Sequence, residues 1–138
     1  MIPTPEKPRP RILFVCIENS NRSQMAEAFA RHYGGDQVEV FSAGSRPSGR
    51  VNPRAIEAMR ERGIELSAHV SKSLHDVPQW EWDYVITMGC GDECPWVKAK
   101  HREDWKLPDP RDLPAQEFAV VRDEIERRVL ELLQRIKP

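Results

Sequence analysis

"LFVCIENSNRSQMAEAF", residues 13–29, passes from an apolar run through a polar loop into helical spacing without a proline or glycine. It continues the run that opens "RILFVC" (11–16), which has strand length and the unbroken apolar character of a strand buried on both faces. From Ser23 onward Met25, Ala26, Phe29, Ala30 and Tyr33 recur on one helical face, until Gly34 and Gly35 stop the helix. Cys16 and Arg22 therefore stand at the two ends of a strand-to-helix loop, with five residues between them.

Such a loop can turn its backbone N–H groups inward and, with the helix dipole behind it, cradle a tetrahedral oxyanion. Ile17, Glu18, Asn19, Ser20, Asn21 and Arg22 are the candidate binding residues. The planar fork of Arg22 suits two oxyanion oxygens, and the positive surroundings favour a nucleophilic thiolate on Cys16. Ser23 can donate a hydroxyl hydrogen bond to that sulfur, and Asn19 can hold the loop in shape. Glu18 is out of place, because a carboxylate beside an anion costs free energy unless it points to solvent. The bland reading makes Cys16 a buried strand-end thiol and Arg22 a surface residue; the strand-loop-helix setting argues against it.

The rest of the chain fits one domain. Its 138 residues can bury roughly two thirds of the unfolded surface in a single core. The proline-rich start, residues 1–10, reads as a disordered or extended lead-in, and 11–138 as one catalytic domain without internal repeats, expected to act as a monomer. Lys and Arg number 21 against 22 Asp and Glu, which gives no global basis for binding nucleic acid or an anionic membrane. With no long apolar segment and no apolar leader, the expected location is the cytoplasm. Three cysteines, an odd number, then point to catalytic or redox thiols.

Further elements follow from the same patterns. "VEVFSAG" (38–44) and "DYVITMG" (83–89) read as strands, and Asn52-Pro53 as the cap and first turn of a helix over 53–62 that ends before Gly63. Residues 74–82 are ambiguous around Pro78. Residues 90–113 read as a long functional loop with a short strand near Trp105–Leu107. Beyond Pro114, Phe118, Val121, Ile125, Val129, Leu132 and Ile136 mark a long closing helix. Alternating strands and helices predict an α/β fold: a mainly parallel sheet covered on both faces, with its ligand site beyond the carboxyl ends of the strands. Cys16 and Cys90 both follow apolar strands and are expected on that edge.

Four segments, "VCIENSNRSQMAEAFAR", "FSAGSRPSGRVNPRAIEAM", "ITMGCGDECP" and "LPDPRD", together resemble the arsenate reductases built on the low-molecular-weight protein tyrosine phosphatase fold. The resemblance runs from about residue 11 to the C-terminal helix. It implies a four-stranded parallel sheet with helices on both faces, Cys16 as nucleophile, Arg22 and Ser23 in the anion loop, and Asp109 in a mobile Asp-Pro segment. For a reductase it implies attack of Cys16 on arsenate, attack by Cys90 with release of arsenite, and exchange with Cys94. It implies no bound cofactor, only an external thiol reductant: thioredoxin, or the low-molecular-weight thiol that the short "CGDEC" spacing suggests. Where potassium-binding members carry an acidic residue, this chain has Lys72, whose ammonium could replace the ion beside Asn19, Glu27 and Ser42; the alternative is a solvated loop lysine.

Two other functions stay open on the sequence. A phosphatase would share Cys16, Arg22 and Asp109, although Arg111 and Asp112 follow the Asp-Pro pair where an aryl-phosphate enzyme has aromatic residues. A non-catalytic oxyanion or thiol sensor would lack turnover. A zinc site from Cys90, Cys94 and His101 is one ligand short, since Cys16 is already explained, so no metal is expected.

Overall fold

The computed structural model describes residues 9–89 and 96–136. Four strands, β1 (Arg11–Cys16), β2 (Glu39–Gly44), β3 (Trp82–Thr87) and β4 (Ala99–Asp104), form one sheet in the order β2-β1-β3-β4. Every pairing is parallel. Three α-helices accompany them: α1 (Arg22–Gly34), α2 (Pro53–Arg60) and α3 (Ala115–Ile136).

The period-two geometry of β1 divides the interior. Ile12, Phe14 and Cys16 join the larger core, with Met25 and Phe29 of α1, Ala55 and Met59 of α2, and Phe118, Ile125, Val129 and Leu132 of α3. Leu13 and Val15 face the other way and meet Ala43, Val77, Trp82 and Val85. All three α-helices contribute to the larger core, and a short 3-10 turn, Leu74–Asp76, closes the second face together with Trp80. Burying the branched residues of β1 completely is worth about 1.5–3 kcal/mol per large side chain, which is why the central strand reads as a continuous apolar run.

Helix α2 begins as expected, with the Asn52 side chain accepting from the Arg54 N–H and Pro53 in the first turn. It ends at Arg60, two residues before the predicted end, and the chain turns to Gly63 at φ +72°. The fourth strand differs from expectation: it lies at Ala99–Asp104, before Trp105–Leu107. Its sequence AKHRED is largely exposed and pairs only with β3. Trp105 and Leu107, whose apolar character suggested a strand, are instead buried just beyond its end. Of the proline-rich lead-in, Arg9 and Pro10 are tied to β2, both through Glu39.

The chain leaves β1 for β2 on one side and later returns to β3 on the other. The carboxyl ends of β1 and β3 therefore flank a topological switch point, where open α/β sheets place their ligands. Cys16 ends β1 at that point.

Candidate active site

The loop after Cys16 is fixed by its neighbours before any ligand arrives. Backbone N–H groups of Ser45, Arg46, Ser48 and Asn52 donate to the carbonyls of Cys16, Ile17, Glu18 and Ser20, so the segment following β2 straps down one side of the loop. Gly44 makes this approach possible: a Cβ there would lie 2.5 Å from the Ile17 carbonyl oxygen and 3.0 Å from the Asn19 nitrogen. Asn19 takes φ +52°, a left-handed conformation in which asparagine is one of the few side chains commonly found. With those carbonyls bonded to that segment, the Asn19 N–H is the one that turns to the Cys16 sulfur. Asn21, at the N-cap of α1, makes no side-chain capping bond, which leaves the first-turn amides to whatever occupies the cradle.

Cys16 Sγ is 3% exposed by residue and lies 2.8 Å from Ser23 Oγ and 3.2 Å from the Asn19 N–H. Asn19 Nδ2 donates to Ser23 Oγ at 2.8 Å and to Ser42 Oγ at 3.0 Å. Asn19 Oδ1 in turn accepts from Gln24 Nε2 and the Lys72 N–H, both at 2.9 Å. This set of partners fixes the orientation of the carboxamide. Behind it, Ser42 donates to Glu27 Oε1 at 2.7 Å. The Lys72 ammonium sits 3.4 Å from the same oxygen, 3.3 Å from Ser42 Oγ and 3.4 Å from the Val70 carbonyl. Lys72 is thus an engaged side chain beside Glu27, Ser42 and, through its backbone, Asn19.

Arg22 is buried, and its Nη1 donates to the carbonyls of Met88 and Leu107 at 2.6 and 3.0 Å. Cys16, Ile17, Glu18, Ser20, Asn21, Arg22 and Asp109 line one small concavity. The Asp109 carboxylate accepts from the Arg111 N–H at 3.0 Å. Glu18, the misfit of the sequence, is paired: Arg111 Nη1 lies 3.2 and 3.3 Å from its two oxygens.

Two participants escaped the sequence reading. Gln24 bridges Asn19 to the Val70 carbonyl, and His69 Nδ1 lies 3.0 Å from Gln24 Oε1 and 3.3 Å from Glu27 Oε2. Burial holds His69 below its ordinary value of 6.5, Arg31 and Lys72 push the same way, and Glu27 opposes them. Their only available signal was the pairing of a helix glutamine one residue after Ser23 with a histidine three residues before Lys72. The thiols Cys90 and Cys94 lie outside the described residues; Gly89, just before them, has φ +78° and packs against the Leu107 backbone. His101 stacks on Tyr84 at 4.9 Å, and no cluster of three metal-ligating side chains occurs among the described residues.

The family described as low molecular weight phosphotyrosine protein phosphatase matches residues 11–138. Among curated relatives, the chain is 40% identical over 129 residues to a glutaredoxin arsenate reductase of Synechocystis, covering 91% of this chain and 98% of that one. Among solved structures it superposes on an arsenate reductase in the phosphate binding state with a TM-score of 0.85 and 38% identity, covering 93% of this chain and 99% of the other. A thioredoxin-dependent arsenate reductase of Corynebacterium glutamicum gives 0.76 at 41% identity, covering 94% of this chain and 62% of the longer protein. Parallel β2-β1-β3-β4 topology, a cysteine and an arginine bracketing the anion loop, and these extended likenesses lead to one placement: the chain belongs to the low-molecular-weight phosphotyrosine protein phosphatase family, on its arsenate reductase branch.

Proposed function

We propose that the protein reduces arsenate to arsenite for detoxification, with electrons from an external thiol reductant. The observation that carries this reading is the Cys16 sulfur, held at the switch point by Ser23 and the Asn19 amide at the base of the anion concavity. The Cys16 thiolate attacks arsenic(V), forming an S–As bond as one oxygen leaves as water, with Asp109 as the proton donor. The Cys90 thiolate then attacks Cys16 sulfur. The S–S bond forms, the S–As electron pair stays on arsenic, and arsenite departs as arsenic(III). Cys94 next attacks Cys90, freeing the Cys16 thiolate and leaving a Cys90–Cys94 disulfide for the reductant. Lys72 takes the place of a structural cation behind Asn19.

Relatives named for glutaredoxin and for thioredoxin make the reductant the finer question. We favour thioredoxin, since Gly89 and Gly91 on either side of Cys90 give the chain the freedom that a relay to Cys94 needs. The deciding assay measures arsenite release with thioredoxin, thioredoxin reductase and NADPH beside a small-thiol system, for wild type and Cys94→Ser. Loss of thioredoxin-dependent turnover in Cys94→Ser, with a Cys90–Cys94 bridge in the oxidised wild type, is the expected result. Full turnover without Cys94 overturns the relay. Aryl-phosphate hydrolysis, run in parallel, tests the phosphatase reading, which the shared Cys16, Arg22 and Asp109 support. Absence of both activities with phosphate binding retained would identify an oxyanion sensor.

A further inference from the structure

Glu18 is the one acidic residue in the anion loop, and it lines the concavity that also holds Cys16, Arg22 and Asp109. Its backbone is among the most firmly held in the loop, since its carbonyl accepts from the Ser48 N–H at 3.1 Å and from Ser71 Oγ at 2.9 Å. Its carboxylate is a post on that held backbone, itself open to solvent. Arg111 reaches that post with Nη1, 3.2 and 3.3 Å from the two oxygens, while its own backbone N–H holds the Asp109 carboxylate at 3.0 Å. The chain around Asp109 is secured elsewhere by Arg22 on the Leu107 carbonyl and by Arg54 on the carbonyls of Arg111 and Leu113. Between those anchors Pro108 and Asp109 are exposed at the mouth of the site. The Glu18 bridge is a second side-chain contact, beside that of Arg22 on Leu107, tying this stretch to the anion loop.

We propose that Glu18 and Arg111 form a positioning pair, in which the loop carboxylate holds Arg111, and through it the Asp109 carboxylate, over Cys16. The pair also resolves the charge conflict at Glu18, because Arg111 neutralises a carboxylate that would otherwise repel the incoming oxyanion. Neither residue needs to touch the reacting atoms. The inference rests on the reading of Asp109 as proton donor in the proposed reaction.

The two roles predict a pattern that a merely stabilising surface ion pair does not produce. Glu18→Gln removes the repelling charge and the post together: inorganic phosphate binds as tightly as in wild type or tighter, while arsenite release slows. Arg111→Gln leaves Glu18 unpaired: phosphate binds more weakly, and arsenite release again slows. Each change in turnover is expected to be roughly two- to five-fold, the range of a solvent-accessible ion pair. In Glu18→Gln/Arg111→Gln, phosphate affinity returns toward wild type and turnover falls no further than in the slower single variant, because the two substitutions break one contact.

The test combines phosphate titration by calorimetry with kcat for arsenite release on all four proteins, and amide hydrogen exchange over residues 107–113. Phosphate affinity that holds or rises in Glu18→Gln and falls in Arg111→Gln, a common fall in kcat without additivity, and faster exchange in the three variants support the pair. Unchanged kcat in Glu18→Gln, additive losses, or unaltered exchange overturn it. Should wild type release no arsenite, the proposed reaction fails; the affinity and exchange patterns then still decide whether the bridge exists and holds the segment.

Discussion

The Ser23 hydroxyl lies 2.8 Å from Cys16 Sγ, and its oxygen already accepts a proton from Asn19 Nδ2 at the same distance. When Cys16 is a thiolate, which can only accept, the Ser23 hydroxyl is the donor of this contact. A hydrogen bond to a charged acceptor contributes about 1.5–3 kcal/mol, so Ser23→Ala should lower kcat/KM for arsenate by roughly ten- to a hundred-fold. Phosphate affinity, which depends on the cradle, should change little. Turnover at the wild-type rate would mean that the hydroxyl does not support the thiolate.

Cys16→Ser should abolish arsenate reduction and any aryl-phosphate hydrolysis together, because an unactivated hydroxyl is a far poorer nucleophile than a thiolate. Cys90→Ser should separate them: hydrolysis of a thiophosphate needs only water, whereas resolving an arsenic adduct needs a second thiol. Arsenite release and p-nitrophenyl phosphate hydrolysis, measured on both variants, read the distinction. Survival of arsenate reduction in Cys90→Ser would displace that residue from its role.

Gly44→Ala should damage the cradle more than the fold. The added methyl would sit 2.5 Å from the Ile17 carbonyl oxygen, and backbone cannot yield as a side-chain tip does. Overpacking of this kind costs about 1–3 kcal/mol. Calorimetry with phosphate should show weakened binding at a temperature where circular dichroism still reports a folded chain; wild-type affinity would refute the close approach.

On the proposed reading, the Lys72 ammonium, 3.4 Å from Glu27, makes a separate alkali cation unnecessary at that spot. Exchanging potassium for sodium at constant ionic strength should leave wild-type turnover unchanged. Lys72→Gln, which vacates the charge, should lower turnover several-fold, and potassium should restore part of it. A potassium-specific stimulation of the wild type would sink this account.

His69 gives the fold an acid-side dependence. Burial keeps the ring neutral below its ordinary 6.5, so the unfolded chain takes up a proton that the native chain refuses. Stability is then greatest above about 6.5 and declines as pH falls through the lower native value. Urea midpoints at pH 7.5 and 5.5 should differ more for wild type than for His69→Gln. An equal or larger drop in the variant would assign the effect to other groups.

The parts of the fold that the sequence made legible are those whose environment is uniform along the chain. β1 carries an unbroken buried apolar run from Ile12 to Cys16, β3 keeps the shorter run Tyr84–Ile86, and α3 shows its buried stripe from Phe118 to Leu132. β4 was illegible because an edge strand with exposed side chains has no apolar alternation to read. Tyr33 matched the helical stripe, yet it is 45% exposed, stacked on Phe29 with its hydroxyl on Glu126. Conversely Arg122 is buried, donating to the Ala58 carbonyl and Glu61, a place no periodicity assigns to arginine. In the site, Cys16, Asn19 and Ser23 were readable because one loop brings them together. The link from His69 through Gln24 to Asn19, and that from Arg111 to Glu18, join segments 45 and 93 residues apart, and local spacing carries no record of such contacts.

Arg22 is more than a clamp. Its Nη1 joins two distant stretches of chain to its own: Met88, just beyond β3, and Leu107, two residues before Asp109. By thermodynamic reciprocity, an oxyanion that favours this placement of the guanidinium also favours the arrangement of both carbonyl-bearing segments, and anything that disturbs either segment weakens the oxyanion. Lysine would preserve the charge but not the rigid fork, so its substitution there would loosen the joint as well as the grip. On the proposed reading, charge recognition and the assembly of this end of the sheet share a single side chain and a common set of equilibria.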